Sequence, residues 1–317
     1  MNESIEGPKT KVVLTTRALR PSRRWVAVPA LLLALFVLPG LSAQERVEAR
    51  HDLTPNARLS VSGVHHDITV RVWDRNEVHV VAMIDGESER LEVTGSADNL
   101  SVRIEHDRQQ RGQVRGNGSI EVQIPRGVRL SLNSVSGSQQ VEGVTGTLRL
   151  STVSGRIEYA GDAESAEINS VSGSVRGSGA VSRTNVNSVA GSVELRGVSG
   201  RVDANSVSGN MTFAGGPFDH VRANSVSGRV ELDGRVNENA SMDLQSHSGA
   251  IVLKLPANTP GDYEIDTMSG RIVNRITDDE ARSPRYGPGR SLNFRVGAGT
   301  ASIRLHSFSG SVTVEPR

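Results

Sequence analysis

Three groups of residues in this 317-residue chain have types and spacings suited to chemistry. Asp243 and Glu264 occupy the same place in successive repeats of a β-type pattern, and two carboxylates held about 5–9.5 Å apart across a groove can hydrolyse a glycosidic bond. Their column also holds Glu167 and Asp203, but Arg149 and Arg222 interrupt it and no aromatic platform accompanies the pair. The column therefore reads as a mixed-charge surface, and no catalytic residue is expected. His65 and Asp67 share one face of an extended segment, with His79 in the same region. A protein zinc site needs three or four ligands, and none is spaced to complete the set, so no metal or other cofactor is expected. The third group lies in "NRITDDEARSPRYGPGRS", Asn274–Ser291. Arg282, Arg285 and Tyr286 supply guanidinium groups and a ring that suit a sugar or an anionic group, and they are the binding candidates.

Composition narrows the classes further. The chain has no cysteine, which excludes disulfides, thiolate metal sites and a Cys nucleophile. Its many serines lack the placed His and acid that would make one of them a nucleophile. Residues 1–43 carry an arginine-rich start, an apolar run and small residues, the order of a secretory signal peptide, with cleavage expected between Ala43 and Gln44. Pro29 and Pro39 make the run a poor permanent span, and without a following cysteine no lipoprotein anchor is expected. Those residues hold two lysines and four arginines against two glutamates, so removing them takes the formal charge from +1 to −3. Lys254 is then the only lysine. Such a chain has no basic footprint for nucleic acid.

The elements that must position these residues show in a repeat. Gly137, Gly155, Gly173, Gly191 and Gly209 stand 18 residues apart, and Gly228, Gly249 and Gly270 follow at 19, 21 and 21 before a longer gap to Gly310. Each closes a copy of "NSVSG" or a relative of it. Seven and five residues before the glycine stand apolar pairs such as Leu130/Leu132 and Leu148/Leu150. Two and four residues after it stand pairs such as Val193/Leu195 and Val230/Leu232. Period-two alternation over short runs marks strands with one buried face. A period near 20 with β composition signals an all-β fold, a single-chain parallel β-solenoid of about 18–21 residues per coil. No aliphatic residue recurs every six positions, which favours a right-handed coil over a left-handed hexapeptide helix.

The two apolar sets have opposite parity, so the chain is expected to bend between them, at the Asn-Ser pair. Asn133, Asn169, Asn187, Asn205 and Asn224 would then stack as a corner ladder. On this reading the valine two before each glycine points inward and the serines beside it form two outward hydroxyl ladders, read first as small residues that fit a crowded bend and second as a lattice able to meet a polysaccharide or ice. A second corner is marked by Gly143, Gly161, Gly179, Gly197, Gly215 and Gly234, where a turn needs positive φ. Residues 44–128 alternate without the strict period and are expected to form an N-terminal β cap or irregular rungs, because a bare terminal rung is an open sheet edge. Residues 129–317 are the repeats, with the loop insertion at 274–291.

"LSVSGVHHDITVRVWDRNEVHV", "SIEVQIPRGVRLSLNSVSG", the SVSG-xVxL rungs and the closing "SIRLHSFSGSVTVEPR" resemble an exported bacterial adhesin family with a β-strand-repeat domain of unknown function. The resemblance covers nearly all of the chain after the leader. It implies a single-chain solenoid in the cell envelope or outside it, and carries no catalytic motif. His65-His66 stand where small residues are expected, so the first rung should differ locally. The expected function is a non-catalytic, exported binding module, periplasmic or at the cell surface. It would present its repeat face to an envelope glycan or protein, as a monomer with no membrane span in the mature chain. The alternatives are a periplasmic structural or sensory scaffold and, further off, a polysaccharide-active enzyme.

Overall fold

A computed structural model describes residues 44–85, 88–106, 118–283 and 287–317. Among them there are twenty-two strands and no helix, all in one continuous sheet. The expected signal peptide lies outside the described residues.

The 18-residue spacing becomes a register. Leu148 pairs with Leu130 and with Ala166, and Ile157 pairs with Gln139 and with Val175, all in parallel. Each rung thus has a first strand ending just before the reference glycine and a second starting just after it. Leu130, Leu132, Leu148, Leu150 and Ile168 are fully buried from the first strands, facing Val193, Leu195, Val230 and Leu232 from the second. Rungs lie about 4.8 Å apart, too close for wide side chains to repeat in every layer, which suits a chain that is only 3% aromatic. Each fully buried Val, Leu or Ile contributes roughly 1.5–3 kcal/mol.

The two glycine columns serve different physical needs. Gly143, Gly161, Gly179, Gly197 and Gly215 have positive φ, as the turn chemistry predicts, and Gly234 does not. The reference glycines are required by close approach instead. A Cβ on Gly173 would stand 1.8 Å from the carbonyl oxygen of Gly155, and one on Gly191 the same distance from that of Gly173.

Four features differ from the sequence expectation. The sheet mixes orientations: the repeat strands pair parallel, but Gln44–Asp52 runs antiparallel to Glu77–Asp85, which runs antiparallel to Ser119–Pro125. Glu89–Ser96 is antiparallel to Asn99–His106, and Arg290–Val296 to Gly261–Thr267. These strands lie at the two ends of the stack, where they cover edges that parallel rungs would leave bare. The fold is thus all-β, but not an all-parallel coil.

Second, the stack does not follow chain order. The last segment, Ala301–Ser307 with Val312–Pro316, lies between the Ser241–Ser246 rung and the Gly261–Thr267 rung. Likewise Arg58–Gly63 lies between Asn99–His106 and Arg129–Ser134. Each end is closed by a rung inserted out of order.

Third, the bend is not at the Asn-Ser pair. Asn133 and Ser134 still belong to the strand Arg129–Ser134, and the chain turns over Val135-Ser136-Gly137. Inward positions therefore continue as Leu130, Leu132, Ser134. The fourth difference follows from this. Val135, Val153, Val171, Val189, Val207 and Val226 are not inside but 44–49% exposed. The serines and threonines before them are buried. A hydroxyl suits that inner corner because it satisfies the turn: Ser170 Oγ donates to the Gly173 carbonyl at 2.7 Å, and Gly228 N–H donates to Ser225 Oγ at 2.9 Å.

Candidate functional site

The corner geometry makes a groove. Within each rung the residue four before the glycine points out, the next points in, and the next points out again. Stacked over the rungs, the outward pairs become two ridges with a floor of buried hydroxyls between them. The groove runs along the stack from Asn133 to Met268, with a volume of ≈ 1150 Å³.

One wall is polar. Asn187 Nδ2 donates to Asn169 Oδ1 at 3.1 Å, Asn205 to Asn187 at 3.2 Å, and Asn224 to Asn205 at 2.9 Å. Asn205 uses one N–H and one lone pair in this chain and keeps another of each for solvent or a ligand, whereas Asn187 also donates to Asn185 Oδ1 at 3.4 Å. Asn133 belongs to the same wall, separated from Asn169 by Ser151. The opposite wall is the valine ridge. At its C-terminal end the ridge continues as His247, Phe308 and Met268, with the His247 and Phe308 rings stacked at 4.8 Å. Arg290, Asp266 and His306 line that end.

The backbone beneath the groove is already paired. Ser172 N–H donates to the Val153 carbonyl at 2.8 Å and Ser208 N–H to that of Val189 at 2.8 Å. The outer serines add a second bond to the same carbonyls, as Ser172 Oγ does to Val153 at 3.1 Å. Only one of the two hydroxyl ladders is therefore on the outside, and it is tied to the rung below.

The other sequence candidates are dispersed. Asp243 and Glu264 are not on adjacent rungs, because the inserted strand Ala301–Ser307 separates them. Arg304 stands in register with both and lies 3.4 Å from Glu264. A hydrolytic pair is thus replaced by a carboxylate–guanidinium–carboxylate row. His65 Nδ1 lies 2.6 Å from Ser136 Oγ, Asp67 accepts from Ser138 N–H and Oγ, and His79 bonds Glu48 and Gln123. Among the described residues no group of three such side chains is placed to hold a metal ion. Arg282 is exposed, and its backbone forms a bridge with Ser291. Arg285 and Tyr286 lie outside the described residues. Arg290, from the same insertion, reaches the end of the groove instead.

The sequence reading missed the environment of His66. It occupies the glycine position of the first rung, 1% exposed, with Nε2 3.1 Å from Glu89 Oε2. His106 Nε2 lies 3.0 Å from the other Glu89 oxygen, and the Asp85 N–H donates to Oε2 at 3.0 Å. The buried Glu89 thus ties the hairpin of Glu89–Ser96 and Asn99–His106 to the first rung. Gly118 leaves the ring its space, since a Cβ there would fall 2.2 Å from His66 Cδ2. The break in the glycine column at His66 was the available signal.

Fold and groove together define an all-β stacked-rung protein with one long, largely uncharged groove. The family model Toastrack DUF4097 matches residues 56–277, and the chain belongs to that family, a domain of unknown function. No curated protein matches the chain. It is similar to a structure described as a "putative lipid binding protein" from Parabacteroides distasonis, at 13% identity and TM-score 0.49, covering 86% of this chain and 96% of that one. A "putative adhesin" from Bacteroides fragilis is similar at 11% identity and TM-score 0.37, covering 87% and 99%. Another from Parabacteroides distasonis is similar at 12% identity and TM-score 0.36, covering 87% and 98%. Among the described residues no helix is long and apolar enough to cross a membrane.

Proposed function

We propose that this chain is a non-catalytic, exported envelope binding module that holds an elongated glycan or protein partner along the repeat groove. The observation that carries this reading is the unbroken apolar ridge: valine on six successive rungs, each nearly half exposed. Contiguous exposed apolar strips of this kind mark binding surfaces. The arginine-rich, apolar leader in residues 1–43 supports export, and the repeats support a right-handed coil as the scaffold.

The test is binding of the purified chain to isolated bacterial cell envelopes, beside the double variant Val171→Asp/Val189→Asp. Both substitutions are on the surface, so the variant should fold. The proposal expects saturable binding by the parent chain and its loss in the variant. Equal binding by both would remove the groove from the function. Mass spectrometry of the exported chain is expected to find Gln44 at its start, and an intact leader would remove the export reading.

A further inference from the structure

We infer that the occupant of the groove is a neutral, linear polysaccharide lying along the stack, an assignment that rests on the groove being the binding face. Charge is the first argument. From Asn133 to Gln245 the groove residues are Asn, Ser, Thr, Val and Gln, without a formal charge. The faces beside it are densely ionic, with pairs such as Arg149–Glu167 at 2.6 Å and Arg196–Glu194 at 2.6 Å. A neutral channel between charged faces complements a neutral ligand and leaves an anionic polymer no counter-charge along most of its length.

The two walls specify the ligand's sides. A sugar ring offers C–H faces and hydroxyl rims, which match a methyl ridge opposite an amide ladder with spare donors and acceptors. An acyl chain would meet the valines but lie against the Asn187 and Asn205 amides without bonding them, and unpaired polar groups are costly to desolvate. An extended peptide fails in two ways. The backbone groups under the groove already bond from rung to rung, so no strand can be added there. Same-side residues of a peptide recur about every 6.7 Å, out of step with rungs about 4.8 Å apart. A sugar unit of an extended β-linked chain is close to one rung in length and successive units are turned by about half a turn, so alternate units meet the same Val-Asn pair on every second rung, about 9.6 Å apart. Nine rungs span about 38 Å at that spacing. At the C-terminal end the exposed Phe308, its ring stacked on His247, continues the apolar ridge.

The experiment is calorimetric titration of the purified chain with cello- and chito-oligosaccharides of increasing length, beside uronate oligosaccharides and phosphatidylcholine vesicles. Affinity for a neutral series is expected to rise at least about tenfold from dimer to octamer, about 1.4 kcal/mol or more. Uronate chains of equal length should bind at least about tenfold more weakly. Val171→Asp/Val189→Asp should abolish binding, and Asn187→Asp, which leaves the ridge intact, should weaken it. Arg176→Gln, on the ion-paired face, should leave it unchanged. Melting curves establish that each variant is folded. Binding that ignores length, a preference for uronates, or binding of vesicles alone would overturn the assignment. If no oligosaccharide binds while envelopes are still held through the valine ridge, the sugar is wrong and the groove function stands. If envelopes are not held either, both fall.

Discussion

The ring of Tyr159 fills the space that a side chain on Gly177 would need: the two residues are register partners, and a Cβ on Gly177 would fall 2.2 Å from the ring. Glycine at this position has no turn to make. It is the partner that lets an aromatic residue into this layer of a mostly aliphatic stack. Gly177→Ala is expected to lower stability by roughly 1–3 kcal/mol, the usual cost of overpacking. An unchanged urea midpoint would show that the ring has room to move.

The hydroxyl of Tyr159 is buried with no hydrogen-bond partner, and burial pushes its pKa well above the ordinary 10. Thr184 is fully buried with the same defect. Removing an unsatisfied hydroxyl without changing shape relieves its desolvation cost. Tyr159→Phe and Thr184→Val should each raise stability by about 1 kcal/mol. A loss of stability in either would reveal a bonded hydroxyl and contradict the packing described.

The reversed corner has its own test in adjacent residues. Val189→Ser, at an exposed position, should change stability by no more than about 0.5 kcal/mol. Ser188→Val should cost about 1 kcal/mol or more, because Ser188 Oγ donates to the Gly191 carbonyl at 2.9 Å inside the turn. The opposite ranking in chemical denaturation would place the valines inside.

Glu231 and Lys254 give a pH dependence with a defined sign. The hydrogen bond from Lys254, 2.7 Å away, holds the Glu231 carboxyl below its ordinary 4.5, and the same bond raises Lys254 above its ordinary 10.5. A lowered carboxyl pKa stabilises the fold above 4.5 and loses that effect as pH falls through the folded value. The raised lysine pKa acts below 10.5 and is lost as pH rises through its folded value. The stability difference between the parent chain and Lys254→Met should therefore be flat between those limits and shrink outside them. A difference that persists at strongly acid pH would mean that the lysine acts through packing of its stem.

At the N-terminal end, Glu89→Ala would leave His66 and His106 without the carboxylate they share. Leaving buried hydrogen-bonding groups without their acceptor in this way costs about 1–3 kcal/mol. Thermal unfolding measures it, and a change within about 0.5 kcal/mol would show that the hairpin is held by its ladder bonds alone.

The spacing of glycines and alternating apolar pairs determined, without coordinates, that the chain is all-β, which residues share a column, and where positive φ recurs, at every corner glycine of the second column but Gly234. Those features are local, since a period reports which positions are equivalent and alternation reports which face is buried. Tertiary structure alone decided the rest. A period cannot say which rung neighbours which, so the insertion of Ala301–Ser307 between the rungs of Asp243 and Glu264 was invisible, and with it the Arg304 that separates their carboxylates. Polarity misled at the corner: Ser170 reads as a surface residue until the Gly173 carbonyl is there to accept its proton. Once the hydroxyl is satisfied inside, parity turns Val171 outward, and the groove follows.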